Sequence, residues 1–162
     1  GNYTVWVHRF YRHRRFGTQL APTSGAMGYG VPAAIAAALH RPGRPAIAFA
    51  GDGCFQMAGH ELATAVQLGL RDLVVLVCDN GMLGTIRMHQ ERSYPGHVEG
   101  TALANPDFAA LAAAYGCHAE RVEDDGAFPD AFARALAADR PALLHLVCDP
   151  AAITPGALLA AG

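Results

Sequence analysis

An aspartate held between two glycines, Gly51-Asp52-Gly53, and an asparagine 27 residues beyond Gly53, Asn80, are the side chains of this 162-residue chain best suited to chemistry. A carboxylate and an amide carbonyl are hard oxygen donors, which suit Mg²⁺ or Ca²⁺ and do not suit zinc. Asp52 and Asn80 each follow an apolar run, residues 45–50 (PAIAFA) and 72–78 (DLVVLVC). Such runs read as strands buried on both faces, the kind found in parallel sheets. Oxygen donors at the carboxyl ends of neighbouring parallel strands lie where open α/β sheets bind their ligands. Gly53 lets a ligand approach the backbone, and a helix starting there turns its free N–H groups toward an anion. A diphosphate bridged by a divalent cation fits such a place.

The elements that must hold these residues follow from the flanking patterns. A helix is expected over residues 31–39, with Pro32 in its first turn and Gly43 past its end. Ala58, Leu62, Ala65 and Val66 recur at helical spacing and predict a second helix that stops at Gly69. A third is expected to take Asn105 as N-cap and Pro106 as its first residue. It should bury Phe108, Leu111, Ala112 and Tyr115 and close at Gly116. Phe128, Phe132 and Leu136 mark a fourth, and residues 117–122 and 142–148 read as further strands. Apolar strands alternating with helices predict an α/β fold, a three-layer α/β/α domain with a mainly parallel sheet. Residues 91–104, with Pro95, Gly96 and Gly100, form the longest irregular stretch, and a loop of that length beside Asn80 is expected to serve function.

Composition narrows the classes. The length corresponds to one domain with a substantial single core. Twelve basic and 14 acidic side chains create no global field for nucleic acid or an anionic membrane. Every basic residue apart from histidine is arginine. Without lysine the chain holds no P-loop lysine, Schiff-base lysine or pyridoxal-phosphate site. Gly25, Gly28 and Gly30 are ordered G-x-x-G-x-G, which is not a dinucleotide fingerprint. Cys54, Cys78, Cys117 and Cys148 contain no C-x-x-C pair and read as buried free thiols of a cytoplasmic protein. No segment approaches the roughly 18 apolar residues of a membrane span, and the N-terminus lacks a signal-peptide core. His8, Arg9, Arg12, His13, Arg14 and Arg15, interleaved with Phe10, Tyr11 and Phe16, read as a surface or subunit-contact segment rather than a nucleic-acid patch. His40, His60, His118 and His145 lack zinc-like spacing and read as structural. Glu123-Asp124-Asp125 reads as a solvated turn.

Four segments in a fixed order carry a resemblance that covers essentially the whole chain. They are residues 23–34 (TSGAMGYGVPAA), the Gly51-Asp52-Gly53 and Asn80 pair, residues 81–90 (GMLGTIRMHQ) and residues 105–112 (NPDFAALA). Together they resemble the thiamine diphosphate enzymes, in particular the C-terminal cofactor-binding domain of the acetolactate synthase-like decarboxylases and carboligases. The resemblance implies that Asp52 and Asn80 coordinate Mg²⁺ through their side chains and Met82 through its backbone carbonyl. It implies that Gly1, Asn2, Tyr3, Gly51, Gly53, Cys54, Leu83, Gly84, Thr85 and Ile86 contact thiamine diphosphate. Gly25 and the backbone of Met27 would hold the aminopyrimidine ring. The Met27 side chain would push under the cofactor and bend it so that the 4′-amino group approaches C2.

Two residues depart from the family pattern. His89 stands where acetolactate synthases carry a tryptophan that shapes the acceptor pocket, so acetohydroxyacid synthesis itself is open. His89 either contacts a polar substrate or moves a proton, or it simply faces solvent. Asp79 stands where the family often has an asparagine and adds negative charge near the metal. The glutamate that hydrogen-bonds the pyrimidine N1′ has no match here. The resemblance assigns it to the pyrimidine-binding domain of a neighbouring subunit, in a homodimer or homotetramer. Residues 1–162 are thus expected to be a C-terminal thiamine diphosphate-binding domain of a longer chain, with the first strand of the sheet missing before Gly1. A middle domain, with FAD as an option, would precede it. The substrate implied is a 2-oxoacid; decarboxylation, carboligation and lyase chemistry of the 2-hydroxyacyl-CoA or benzoylformate decarboxylase type all fit. Alternatives are a non-catalytic thiamine diphosphate-binding or assembly domain and an arginine-rich nucleic-acid-binding domain. No nucleic acid or membrane partner is expected, and the chain alone should bind cofactor weakly without turnover.

Overall fold

The apolar runs form a parallel sheet in the computed structural model of the chain, which describes residues 1–158. Strands β1 (Ala46–Gly51), β2 (Leu73–Asp79), β3 (His118–Val122) and β4 (Ala142–Val147) pair in the order β1-β2-β4-β3, all parallel. The register sets Gly51 opposite Cys78 and Val77 opposite His145, so the carboxyl ends of β1 and β2 finish level. Side chains alternate along a strand, which divides the core in two. Ala48, Ala50, Leu73, Val75, Val77 and Leu143 face one layer, and Val74, Leu76, Ala142 and Leu144 face the other.

Helix α1 (Tyr3–Phe10) precedes the sheet. Helices α2 (Gly30–His40), α3 (Asp52–Ala58) and α4 (Leu62–Gln67) supply Val31, Ile35, Phe55, Leu62 and Ala65 to the first layer. Helix α5 (Gly84–Ser93) follows β2, and α6 (Phe108–Ala114) adds Phe108 and Ala112 to that same layer. Helix α7 (Phe128–Ala137) packs Ala131 and Ala135 on the opposite face. The sheet is therefore covered on both sides, as the alternation of elements predicts. Coverage stops short at β1, where Ile47 and Phe49 stay 40% and 37% exposed. Among the described residues β1 is an edge strand. A short antiparallel pair, β5 (Ala152–Thr154) and β6 (Ala157–Leu158), ends the described chain. No helix among the described residues is long and apolar enough to cross a membrane.

Several local expectations are corrected. The second helix is not continuous: a 3₁₀ turn, Gly59–Glu61, separates α3 from α4. It falls where the Phe55 ring packs so closely on Gly59 that a Cβ there would lie 2.7 Å from Cε1. Asp107, not Asn105, caps α6, accepting from the N–H groups of Ala109 and Ala110 at 2.9 and 3.0 Å. Pro106 consequently lies outside the helix. Leu111 and Leu136 are exposed, because α6 and α7 turn their alanines to the sheet and bring the backbones close to it. Of the four free thiols only Cys117 is fully buried, and that burial pushes it up to about 11.

The open edge strand β3 is tied to α7 by charge. Glu120 accepts from Arg134 Nη2 at 2.6 Å and Nε at 3.0 Å, and lies 2.9 Å from His118 Nε2. Arg134 first, and His118 after it, hold the Glu120 carboxyl below its ordinary 4.5 against the opposing effect of burial. A lowered carboxylate pKa contributes stability that is complete above the unfolded value and lost as pH falls through the folded one. Glu120→Gln is therefore expected to lower the melting temperature near neutral pH and to match the parent in strong acid. Melting scans from pH 3 to 7 check it; a difference independent of pH would contradict it.

Candidate functional site

Level strand ends bring the two loops after β1 and β2 side by side. Asp52 opens α3 and is only 3% exposed. Its Oδ1 accepts from the Gly53 N–H at 2.8 Å, and its Oδ2 from the Gly81 N–H at 2.9 Å and Asn105 Nδ2 at 2.8 Å. Burial raises its pKa above the ordinary 3.8, and the hydrogen bonds from Asn105 and Gly53 only partly offset this. None of the ion pairs among the described residues includes Asp52.

Beyond β2 the chain turns at Gly81, whose φ of 69° is a conformation open to glycine at little cost. Asn80 Oδ1 accepts from the Met82 N–H at 3.3 Å, a local side-chain turn. The Met82 carbonyl accepts from Gly84 at 3.0 Å. Leu83 N–H donates to Thr101 at 2.8 Å and Leu103 N–H to Gly81 at 2.9 Å. These two bonds pin the irregular stretch, which begins only after Ser93, against the loop that follows Asn80.

A cleft of about 160 Å³ opens between these loops and the start of α1. Its walls are Gly1, Asn2 and Tyr3, then Met27, then residues 51–54, and finally residues 82–86. Two glycines set how closely the walls meet. A Cβ on Gly53 would lie 2.9 Å from Leu83 Cδ2 and 3.4 Å from Met27 Cε, and one on Gly51 would lie 2.8 Å from the Tyr3 ring. Burial, with a 3.6 Å hydrogen bond to Cys54 Sγ, pushes the Tyr3 hydroxyl well above its usual range. The cleft thus offers backbone N–H groups, a half-exposed methionine and one buried carboxylate at its floor.

Residues 1–146 match the family described as thiamine pyrophosphate enzyme, C-terminal TPP binding domain. The chain belongs to this family. Thiamine pyrophosphate is another name for thiamine diphosphate. The acetolactate synthase isozyme 2 large subunit of Escherichia coli (strain K12) is 32% identical over 92% of the chain and 27% of that protein. The probable acetolactate synthase large subunit of Methanocaldococcus jannaschii is 33% identical over 96% of the chain and 26% of its own length. The thiamine diphosphate-dependent 4-hydroxybenzoylformate decarboxylase of Rhodococcus jostii RHA1 shares the fold with a TM-score of 0.74 and 34% identity, over 79% of this chain and 24% of that one. The chain spans about a quarter of the length of these proteins.

In this thiamine pyrophosphate-binding domain not every residue expected at the site reaches the cleft. Gly25 sits in an exposed turn with φ 69°. His89 is exposed on α5, with Nδ1 3.0 Å from Arg92 Nη2, and is not among the cleft walls. The Asn80 side chain lies behind Gly84, with Nδ2 3.0 Å from where a Cβ would stand. Two residues not expected at the site, Asn105 and His145, join it from behind together with Asp79, whose charge near the metal the resemblance implies. Asn105 Nδ2 bridges Asp52 and Asp79, at 2.8 and 2.7 Å. Asp79 Oδ2 meets His145 Nε2 at 2.8 Å. Burial alone would raise Asp79, but hydrogen bonds from His145, Asn105 and Gly81 outweigh it and hold the carboxyl below 3.8. The available signal was a histidine inside the apolar run ALLHLV, a polar residue that a central strand does not bury without a partner.

Proposed function

We propose that this domain binds Mg²⁺ and thiamine diphosphate as the diphosphate-holding part of an enzyme acting on 2-oxoacids, by decarboxylation, carboligation or both. The observation that carries the reading is the cleft, which gathers Gly1, Tyr3, Met27, Asp52, Gly53 and Gly84 from four separate stretches of chain. The donor set suits the metal. Asp52 is a buried carboxylate with no cationic side chain beside it, and a buried charge without a partner is costly. Mg²⁺ supplies that partner and prefers oxygen donors, here the Asp52 carboxylate and the Met82 carbonyl at the cleft, with the Asn80 amide behind Gly84 completing the proposed set. Glycines at 51 and 53 leave room for backbone to meet phosphate oxygens.

When bound, thiamine diphosphate supplies the nucleophilic carbon and the electron sink that loss of carbon dioxide from a 2-oxoacid requires. The chain's own residues hold and shape. Asp52, Asn80 and Met82 would carry the metal, the backbone of residues 53–54 and 84–86 would meet the diphosphate, and the Met27 side chain would support the rest of the cofactor. A pyrimidine-binding domain of a neighbouring subunit supplies the glutamate that this chain lacks. Relatives named as acetolactate synthases and a 4-hydroxybenzoylformate decarboxylase support a 2-oxoacid substrate.

Calorimetric titration tests the reading. Thiamine diphosphate should bind saturably, one per chain, with Mg²⁺ present and should be released by a chelator. The intact protein should then evolve carbon dioxide from a 2-oxoacid such as pyruvate or benzoylformate, and this chain alone should not. Absence of binding heat with both Mg²⁺ and cofactor in excess would refute the proposal.

A further inference from the structure

We propose that Asn105, Asp79 and His145 are positioning residues that orient the Asp52 carboxylate, so that divalent-cation affinity depends on a histidine with no exposure to solvent. The inference rests on the reading that Asp52 holds a metal. His145 projects from β4 at 0% exposure, and the edge of the Phe108 ring packs against it with centroids 5.1 Å apart. Its Nε2 lies 2.8 Å from Asp79 Oδ2. An ionised carboxylate only accepts hydrogen bonds, so Nε2 carries the hydrogen. Nδ1 finds no hydrogen bond, being 3.6 Å from Asp107 Oδ1. The imidazole therefore makes one hydrogen bond, and that bond fixes Asp79.

Asp79 in turn shares two donors with Asp52. Asn105 Nδ2 reaches Asp52 at 2.8 Å and Asp79 at 2.7 Å, and the Gly81 N–H reaches the same two carboxylates at 2.9 and 3.0 Å. Gln56 Nε2 donates to Asn105 Oδ1 at 2.6 Å, which settles which way the amide points. Two carboxylates converging on one amide repel each other unless each is held by donors. The donors between them and the histidine behind set a single arrangement in which Asp52 is tethered on one side. Packing alone does not account for the pattern, because leucine at 145 would fill an apolar strand without needing a partner. The partners behind a metal ligand commonly alter metal affinity 10- to 100-fold when removed.

The test measures the Mg²⁺ dissociation constant of the intact protein at saturating thiamine diphosphate and fixed pH, with melting temperature recorded for each variant. Asn105→Ala is expected to weaken Mg²⁺ by about 10- to 100-fold and His145→Leu by about 10-fold. His145→Gln keeps an N–H for Asp79 and should stay within about threefold of the parent. In an Asp79→Ala background, which removes the acceptor for Nε2–H, His145→Leu should add no further loss, since the two act through one another. Mn²⁺ in place of Mg²⁺ should give an altered paramagnetic resonance spectrum in Asn105→Ala, a change that core loosening does not produce. Folded Asn105→Ala and His145→Leu proteins with parental Mg²⁺ affinity would overturn the inference while leaving the cofactor reading intact. Should His145→Leu not fold, Asn105→Ala decides alone. A parent protein that binds no Mg²⁺ at all would remove the underlying reading, and the relay with it.

Discussion

Asp52→Ala is expected to abolish Mg²⁺-dependent binding of thiamine diphosphate while the fold persists. The loss should reach at least about 100-fold, roughly 2.7 kcal/mol, because the one anionic ligand of the proposed set disappears. The fold should survive because two of the three donors to Asp52 keep another acceptor, and the third, the Gly53 N–H, lines the cleft. Gly81 N–H still has Asp79 at 3.0 Å, and Asn105 Nδ2 still has Asp79 at 2.7 Å. The sign of the stability change follows from the raised pKa of Asp52, caused first by burial. A carboxyl whose folded pKa is raised costs stability once pH rises above its unfolded value, and the cost is complete above the folded value. At neutral pH without metal, then, the charge on Asp52 costs stability, and the neutral variant Asp52→Asn should melt no lower than the parent. Calorimetry and a metal-free melting scan check both halves. Undiminished cofactor affinity would remove Asp52 from the site.

The features legible in the sequence are those in which local pattern and tertiary outcome coincide. β2 is an unbroken apolar run because both of its faces are buried, β1 reads the same way although its Ile47 and Phe49 stay exposed, and Gly43 and Gly69 both adopt positive φ where the chain leaves a helix. Asp52 and Asn80 are legible for the same reason: each follows a strand directly, so placing the strands places them. Which strands neighbour one another is not a local property. The sequence offers no hint that β4 inserts between β2 and β3, and that insertion is what carries His145 to Asp79.

Competition between equivalent residues hides the rest. Asn105 and Asp107 are both good N-caps two residues apart, and the choice is made elsewhere, by the two carboxylates and Gln56 that engage the Asn105 amide. Leu136 looks more core-like than Ala131 or Ala135, yet α7 lies near enough to the sheet that alanine fits and leucine turns out. Helix α1 escapes a core-based reading because it buries no residue fully, and Val5, Trp6 and Phe10 all remain exposed.

Phe108→Ala is expected to cost about 3–5 kcal/mol of stability, a large share of the roughly 5–15 kcal/mol of an ordinary domain. Phe108 is fully buried at the first position of α6, with its ring edge-on to Phe55 of α3 at 5.3 Å and to His145 of β4 at 5.1 Å. One side chain therefore joins the helix that starts at Asp52, the helix capped by Asp107 and the strand that carries His145. Alanine would leave a cavity between them, and the apolar wall against the imidazole would be lost. Phe108→Leu keeps most of the volume and should cost less than half as much. Urea unfolding should show a lower midpoint with an unchanged slope, the mark of lost stability rather than a changed unfolded state. Ligand separates this variant from Asp52→Ala. Anything that binds only the folded form raises its apparent stability by mass action. Saturating Mg²⁺ and thiamine diphosphate should thus raise the Phe108→Ala midpoint and leave the Asp52→Ala midpoint where it is. A Phe108→Ala protein as stable as its parent would show that the three elements are held together without this ring.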